Sequence, residues 1–180
     1  MARLIMYTGG ARSGKSRLAQ ERLQRFKQVA YIATAQALDE EMKDRIEKHK
    51  LGRPAVWLTI EEPLDLRAAI QRANATAPDA ILIDCLTLWL SNRMLAVWNE
   101  GWSNVQEDKI SEAFKVALAL ARLSSAQECV IVTNELGCGI VPENAMSRAF
   151  RDLTGRVNQI LAAESDEVYL TTAGLGLKLK

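Results

Sequence analysis

The feature that most constrains the fold of this chain is a glycine-rich segment near its amino terminus. Residues 9–16 read GGARSGKS and match the pattern G-x-x-x-x-G-K-[ST] at every fixed position. An apolar run over residues 4–7 precedes the segment, and a helix-compatible stretch over residues 16–26 follows it. This order of strand, glycine-rich turn and helix is the context in which the pattern binds the phosphates of a nucleoside triphosphate. The chain is therefore predicted to bind a nucleotide.

Each residue type in this phosphate loop has a physical task. The glycines let the backbone close around phosphate oxygens, and the N–H groups at the start of the helix attract an anion. We expect Lys15 to reach the β- and γ-phosphates and the Ser16 hydroxyl to bind Mg²⁺. The residues of the loop predicted to contact the nucleotide are Gly9, Gly10, Ala11, Arg12, Ser13, Gly14, Lys15 and Ser16.

Composition narrows the range of partners. The 180 residues include 23 Lys and Arg against 22 Asp and Glu, so no overall field draws the chain to nucleic acid or to an acidic membrane. Aromatic residues make up only 6%, which leaves few platforms on which single-stranded bases could stack. We expect one nucleotide-binding domain over residues 1–180 and no nucleic-acid partner.

The cysteines and the first apolar run bear on location. Cys85, Cys129 and Cys138 are an odd number without metal-like spacing, and reduced thiols in a cytoplasm are the simplest account of them. The apolar run after Met1 ends at Gly9, too soon for a signal peptide or a membrane-spanning helix. The sequence therefore predicts a cytoplasmic protein without membrane insertion.

Apolar runs alternate with amphipathic segments, the pattern of a mainly parallel α/β sheet flanked by helices. Buried strands are expected at residues 4–7, 29–33, 80–83, 130–133 and 168–170, with a weaker candidate at 55–58 and an edge strand at 175–180. Residues 86–98 are apolar enough for a buried helix or an oligomer contact.

Two further helices are indicated by apolar stripes and by end signals. Ile110, Phe114, Ala117, Leu118 and Ala121 share one face of a helix that Ser103 and Gln106 would begin with a capping box. A second stripe, consisting of Met146, Phe150, Leu153, Val157 and Ile160, predicts a helix with Pro142 near its first turn.

Polar residues follow two of the predicted strands. Asp84 ends the run AILID, and a strand-end carboxylate of this kind holds Mg²⁺ in phosphate-loop enzymes, although it could also be a simple strand-end cap. Another strand ends in Thr133, Asn134 and Glu135, and these side chains are expected to face the nucleotide crevice. For Asn134, capping of a loop is an equal alternative.

His49 is the only histidine and allows two interpretations. On a helix over residues 40–50 it shares a face with Met42 and Ile46, which favours a packed structural histidine. The cations around it, which are Arg45, Lys48, Lys50 and Arg53, disfavour imidazolium and would attract a polyphosphate. They favour a neutral, nucleophilic His49 but could also be a solvated surface. From the residues alone, nucleophile and structural histidine stay open.

Over nearly its whole length the chain resembles the bifunctional adenosylcobinamide kinases and adenosylcobinamide-phosphate guanylyltransferases of cobalamin assembly. The resemblance rests on TGGARSGKS from residue 8, YIATAQ from 31, DEEM from 39, RI from 45, HK from 49, GRP from 52, Trp57, DCLT from 84, TNE from 133, Gly137, Gly139, VPEN from 141, Arg148, FRD from 150 and GRVNQ from 155. The ordered set is specific, whereas the phosphate loop alone would fit many kinases and ATPases. Lys48 and Cys138 depart from some relatives, which can have histidine and methionine there.

The resemblance implies a RecA-like sheet, a homotrimer and two reactions. ATP or GTP would phosphorylate the aminopropanol hydroxyl of adenosylcobinamide, and GTP would then transfer GMP to adenosylcobinamide-phosphate with release of pyrophosphate. His49 matches the histidine that carries GMP in the family. Beyond the phosphate loop, the positions that match GTP contacts are Thr34, Ala35, Gln36, Lys50, Leu51, Gly52, Arg53, Glu62 and Asp84.

Three other functions can be weighed against the sequence. A GTPase switch would need the patterns N-K-x-D and D-x-x-G, and neither is supplied here: DCLT at Asp84 lacks the glycine. A nucleic-acid motor is disfavoured by the charge balance and the few aromatics. A kinase without guanylyl transfer, in which His49 is structural, stays as the alternative.

Overall fold

The computed structural model describes residues 1–99 and 101–180, and at positions 41, 45, 48 and 51 it describes the backbone only. The strands are β1 (Arg3–Gly9), β2 (Val29–Ala33), β3 (Leu58–Glu61), β4 (Ala80–Asp84), β5 (Glu128–Val132), β6 (Glu167–Thr172) and β7 (Leu175–Lys178). The helices are α1 (Lys15–Leu23), α2 (Glu40–Leu51), α3 (Leu66–Ala75), α4 (Leu86–Trp98), α5 (Asn104–Arg122) and α6 (Ala145–Glu164).

The strands form one mainly parallel sheet, as the alternating pattern predicts. Its order is β3-β2-β4-β5-β1-β6-β7, and the antiparallel pairing of β7 with β6 is the exception among the strands described. Strand β5 lies between β1, which leads into the phosphate loop, and β4, which ends in Asp84. Parallel strands bring their carboxyl ends to the same edge of a sheet, where ligands of open α/β folds bind. The order therefore places the phosphate loop and Asp84 at one edge.

Apolar side chains cover both faces of the sheet. One cluster packs helices α3, α4, α5 and α6 against one face, with Trp89 and Phe114 fully buried at its centre. On the other face, Ala19 and Leu23 of α1 pack together with Trp57. Burial of a large apolar side chain stabilises a fold by about 1.5–3 kcal/mol, so these layers contribute strongly to the stability of the sheet.

The five-residue stripe expected in α5 is buried throughout, and α4 has the predicted bounds. Helix α4 buries Trp89, Leu90 and Met94 but leaves Leu95 47% exposed near its end. None of the helices that the structure describes has both the length and the apolar character needed to cross a bilayer.

Three local predictions are wrong in detail. The strand expected over residues 55–58 begins only at Leu58, because Pro54 accepts a hydrogen bond from the Trp57 N–H at 3.0 Å and holds these residues in a turn. Helix α6 begins at Ala145 and is capped by the Asn144 side chain rather than begun by Pro142. Ser103 is the N-cap of α5, but its hydroxyl bonds to the Gln106 side chain, so no capping box forms.

Candidate nucleotide site

The phosphate loop turns sharply between β1 and α1. Gly9 has a φ of 146° and Gly14 a φ of 100°, conformations that glycine adopts without a steric penalty. A Cβ at Gly9 would lie 2.1 Å from the Thr171 carbonyl oxygen, so β6 approaches the loop too closely for any side chain there. Gly14 is the N-cap of α1, and its conformation aims the first N–H groups of the helix into the loop.

The β6–β7 turn supports the loop from behind. The Gly174 N–H donates to the Ser13 carbonyl oxygen at 2.9 Å, and the Arg17 guanidinium donates to the Gly174 carbonyl oxygen at 2.8 Å. A Cβ at Gly14 would lie 3.1 Å from the Gly174 Cα, which shows how tightly the two turns pack. Sequence reasoning missed this support, since the only signal was an Ala-Gly pair before the last strand.

Lys15 lies where the sequence predicts a phosphate-binding cation. The residue is 7% exposed, and its Nζ donates to the Gly10 carbonyl oxygen at 2.6 Å and to the Ser13 Oγ at 3.4 Å. Burial raises the pKa of the Cys85 thiol to about 12, and the charge of Lys15 opposes that rise. The ammonium is therefore inside the curve of the loop and within electrostatic reach of the carboxyl end of β4.

Asp84 is half-buried at that end of β4, and a neighbouring strand fixes its carboxylate. The Tyr31 hydroxyl donates to Asp84 Oδ2 at 2.8 Å. Burial raises the pKa of Tyr31 above its ordinary value, and the Asp84 charge raises it further, so the phenol stays protonated and donates. A carboxylate and the Ser16 hydroxyl on the first turn of α1 are hard oxygen ligands of the kind Mg²⁺ uses beside nucleotide phosphates. The side chains present fit that ion.

Arg53 lies against the same tyrosine. Its Cζ is 3.5 Å from the centre of the Tyr31 ring. Its Nε and one terminal nitrogen are buried and have no hydrogen-bond partner among the side chains that the structure describes. The adjacent cleft has a volume of about 350 Å³, and Lys50 pairs with Glu61 at 2.6 Å on its rim. Arg53 thus brings a cation with unused donors to the tyrosine that also bonds to Asp84.

His49 lies in the last turn of α2, four residues before Arg53. It is half-buried on the same face as Met42 and Ile46, which are also half-buried. None of the described side chains of α2 is fully buried, so this helix does not place His49 in the core. The side chains of Arg45, Lys48 and Leu51, which the sequence offers as further cations or GTP contacts, lie outside the described residues.

Two residues that the sequence places at the nucleotide crevice are fully buried and hydrogen-bonded within the protein. Thr34 is 0% exposed, and its hydroxyl donates to the Cys85 carbonyl oxygen at 2.7 Å and accepts from the Cys85 N–H at 2.9 Å. Thr133 is also 0% exposed, and its hydroxyl donates to Asn158 Oδ1 at 2.8 Å. Both hydroxyls join neighbouring segments of the chain through these bonds, and the role of the two residues at the nucleotide stays a prediction.

Three of the other predicted contacts, Ala35, Gln36 and Glu62, closely follow strands at the carboxyl edge. Ala35 and Gln36 are half-buried just after β2, and Gly52 is exposed after α2. The Glu62 carboxylate accepts from the Leu64 and Asp65 N–H groups and pairs with Arg72 at 2.9 Å, so it also organises its own loop.

Hydrogen bonds fix the segment after β5 to the end of β1 and to helices α4 and α6. The Glu135 N–H donates to the Gly9 carbonyl oxygen at 3.0 Å, which fixes this segment on the phosphate loop. The Asn134 N–H donates to Thr87 Oγ1 at 2.7 Å, and its carbonyl oxygen accepts from Asn158 Nδ2 at 2.9 Å. Sequence reasoning missed Thr87 and Asn158, because single polar residues on apolar helices carry no distinctive pattern.

Comparison with known proteins gives one consistent result over the whole chain. A family model described as cobinamide kinase / cobinamide phosphate guanyltransferase matches residues 5–179. The bifunctional adenosylcobalamin biosynthesis protein CobU of Salmonella typhimurium strain LT2 is 46% identical over 98% of this chain and 99% of its own length. The CobU protein of Escherichia coli strain K12 is 41% identical over 98% of this chain and 99% of its own length.

Among solved structures, the fold is similar to that of a phosphate-loop ATPase. A prototypical ATPase from the type III secretion system of pathogenic bacteria superimposes with a TM-score of 0.59 at 9% identity. The match covers 98% of this chain and 56% of the ATPase. At that identity the similarity concerns the fold alone.

Proposed function

This chain belongs to the cobinamide kinase / cobinamide phosphate guanyltransferase family, and from that premise we propose how its one nucleotide edge serves two reactions. The protein is a kinase and a guanylyltransferase of cobalamin biosynthesis. It phosphorylates the aminopropanol hydroxyl of adenosylcobinamide and then transfers GMP from GTP to adenosylcobinamide-phosphate. The family match does not favour a kinase that lacks the second reaction.

For the kinase reaction, we assign the triphosphate to the phosphate loop. The N–H groups after Gly14 and the ammonium of Lys15 bind the phosphates, and the γ-phosphoryl group passes to the substrate hydroxyl. Ser16 and Asp84 hold Mg²⁺, which when bound neutralises negative charge on the phosphates. Supporting this assignment, Lys15 Nζ already lies among loop oxygens, and Tyr31 fixes one oxygen of Asp84. ATP and GTP both remain candidates as the donor.

For the guanylyl transfer, we assign the nucleophile to His49. A ring nitrogen of His49 forms a bond to the α-phosphorus of GTP, the bond from that phosphorus to the bridging oxygen breaks, and pyrophosphate leaves. An oxygen of the cobinamide phosphate then bonds to the same phosphorus, the P–N bond breaks, and adenosylcobinamide-GDP is released. Lys50 and Arg53, just after His49, are the described cations that would stabilise the developing charge.

The observation that carries this assignment is the position of Arg53. Its guanidinium rests on Tyr31, its buried nitrogens keep donor capacity, and Tyr31 also bonds to Asp84. The segment that follows the helix bearing His49 is thereby linked through Tyr31 to the carboxylate assigned to the metal. This packing supports a single phosphate-binding edge for both reactions. It also argues against a histidine with only a core role, because α2 has no fully buried side chain among those described.

The assignment is tested by labelling the protein with GTP. GTP labelled at the α-phosphate should tag the wild type through a bond that survives base and breaks in acid, as phosphoramidates do. GTP labelled at the γ-phosphate should leave no such tag. His49→Ala should lose the tag and the guanylyl transfer, because no nitrogen remains to form the bond. Phosphorylation of the aminopropanol hydroxyl should largely persist, since Lys15 and Asp84 are unchanged.

Lys115→Ala serves as the control, because this exposed lysine lies on α5 and pairs only weakly with Glu112. It should keep both activities and the tag. If His49→Ala guanylylates at the wild-type rate, His49 has a structural role and the nucleophile lies elsewhere.

The assembly and the location are further parts of the proposal. A homotrimer is supported by the family resemblance and by strand β7, where Leu175 and Leu177 are 73% and 60% exposed at the edge of the sheet. Its mass in solution, three times 20.0 kDa for a trimer, is the quantity to measure.

A cytoplasmic location is supported by the free thiols of Cys85, Cys129 and Cys138.

A further inference from the structure

Tyr31 occupies the point at which the two parts of the nucleotide edge meet. It lies in the middle of β2 and is 1% exposed. Strand β2 pairs with β4 in a register that places Ala33 opposite Asp84. Side chains two residues apart share a face of a strand, so the Tyr31 ring runs along the sheet below Ala33 toward the carboxyl edge. Its hydroxyl ends 2.8 Å from Asp84 Oδ2.

The hydroxyl and the ring of Tyr31 make chemically different contacts. The hydroxyl makes a charge-assisted hydrogen bond to a carboxylate, which fixes the direction of that group. The ring face carries the Arg53 guanidinium, with its Cζ 3.5 Å from the ring centre, which is a close cation–π contact. Because Arg53 is held by the ring rather than by acceptor atoms, its buried nitrogens remain able to donate to a ligand.

We propose that Tyr31 is a positioning residue that orients Asp84 through its hydroxyl and Arg53 through its ring. This inference rests on the proposed function, because Asp84 and Arg53 take their roles from it. It adds that two parts of one side chain have separate positioning roles. The hydroxyl serves the metal-binding carboxylate, and the ring serves the cation beside His49.

The division is tested by separating the two parts of the side chain. Tyr31→Phe removes the hydroxyl and keeps the ring, so Asp84 loses its orienting donor while Arg53 keeps its support. Loss of an outer partner of a metal ligand commonly weakens metal affinity by about 10–100-fold. We expect Mn²⁺, used as a spectroscopic probe with a non-hydrolysable GTP analogue, to bind at least about tenfold more weakly. With Mg²⁺ raised to saturation, the α-phosphate tag on His49 should form faster in Tyr31→Phe than in a variant that also lacks the ring.

Tyr31→Leu removes the ring as well. In this variant we expect both the weaker Mn²⁺ binding and a slower formation of the α-phosphate tag, because Arg53 loses the surface that holds it. Circular dichroism and thermal unfolding establish that each variant is folded. If Tyr31→Leu does not fold, the Mn²⁺ affinity of Tyr31→Phe still decides the role of the hydroxyl.

The matched control is Tyr169→Phe. The Tyr169 hydroxyl also donates to a carboxylate, Glu167 Oε2 at 2.7 Å, but at the amino end of β6 and away from the phosphate loop. It should leave Mn²⁺ affinity unchanged.

Two results would overturn the inference. Only the second of them also contradicts the proposed metal role of Asp84. If Tyr31→Phe binds Mn²⁺ as the wild type does while Asp84→Asn does not, Tyr31 has no positioning role and the proposed function stands. If Asp84→Asn also binds Mn²⁺ as the wild type does, the metal role of Asp84 fails, and this inference fails with it.

Discussion

At the scale of single residues, Lys15 concentrates the chemistry of the phosphate loop. Its Nζ already contacts two loop oxygens, so its charge is organised before a nucleotide binds. Lys15→Ala should lower the kinase rate by about a hundredfold or more, because a preorganised cation is lost from a phosphoryl-transfer site. Steady-state kinetics on protein with an unchanged circular dichroism spectrum measures the effect. A folded variant with the wild-type rate would contradict the role of Lys15.

Which residues could be predicted follows from how each acts. Lys15 and Asp84 stand at fixed positions relative to a glycine-rich turn and a strand end, so a linear pattern reveals them. Tyr31 could not be singled out, because a tyrosine in a buried strand fits a sheet core equally well. The hydrogen bonds of Thr34 could not be predicted for a related reason. The sequence shows a hydroxyl at a strand end but not the Cys85 backbone that bonds to it.

At the scale of elements, the geometry of the loop depends on how closely β6 approaches β1. Gly9→Ala should lower the free energy of unfolding by about 1–3 kcal/mol from backbone strain alone. The Cβ would also meet the Thr171 carbonyl oxygen at 2.1 Å, which must move. Denaturant unfolding without nucleotide measures the loss. Gly10→Ala is the control, because a Cβ there has no neighbour within 4 Å. Equal stability of the two variants would contradict this prediction, because it would show that β6 moves away from a Cβ at residue 9 without a cost in stability.

The elements themselves were largely predictable, because their signals are periodic. Strand β2 and helix α4 have the expected bounds, since an apolar run or stripe ends where each element ends. The start of β3 was not predictable in the same way. Trp57 is apolar and buried like a strand residue, but it packs on the sheet from a turn. Apolar character reports burial, and only pairing with β2 defines the strand.

At the scale of the whole molecule, an ionic cluster at the amino edge of the sheet joins segments that are distant in sequence. The Arg22 guanidinium of α1 bonds to both oxygens of Glu128 at 2.8 and 2.9 Å and to Glu167 at 2.8 Å. Both carboxylates are buried where β5 and β6 begin. Arg22→Met should therefore lower the free energy of unfolding by about 3 kcal/mol, since buried carboxylates lose their principal partner. Lys115→Met, which removes an exposed pair, should change it by less than about 1 kcal/mol.

The same cluster predicts an acid limit of stability. The hydrogen bond from Arg22 lowers the pKa of Glu167 to about 2, although burial acts in the opposite direction. Burial alone raises the pKa of Glu128, but Arg22 and Arg25 together hold it below its ordinary value. Because these carboxylates protonate more readily in the unfolded chain, their contribution is complete above about pH 5 and declines toward pH 2. Unfolding measured across that range should show a shallower decline in Arg22→Met. An identical pH dependence in the two proteins would contradict this account.

The position of β1 in the sheet also sets the order in which the protein becomes functional during synthesis. Strand β1 and the phosphate loop come first in the chain, but the neighbours of β1 are β5 and β6, which begin at Glu128 and Glu167. At ribosomal speeds of about 5–20 residues per second, the loop waits roughly 8–32 s until β6 begins to be made. A nascent chain therefore carries its nucleotide-binding segment exposed until β6 has been made. The phosphate loop is thus translated well before the strands that hold it in shape.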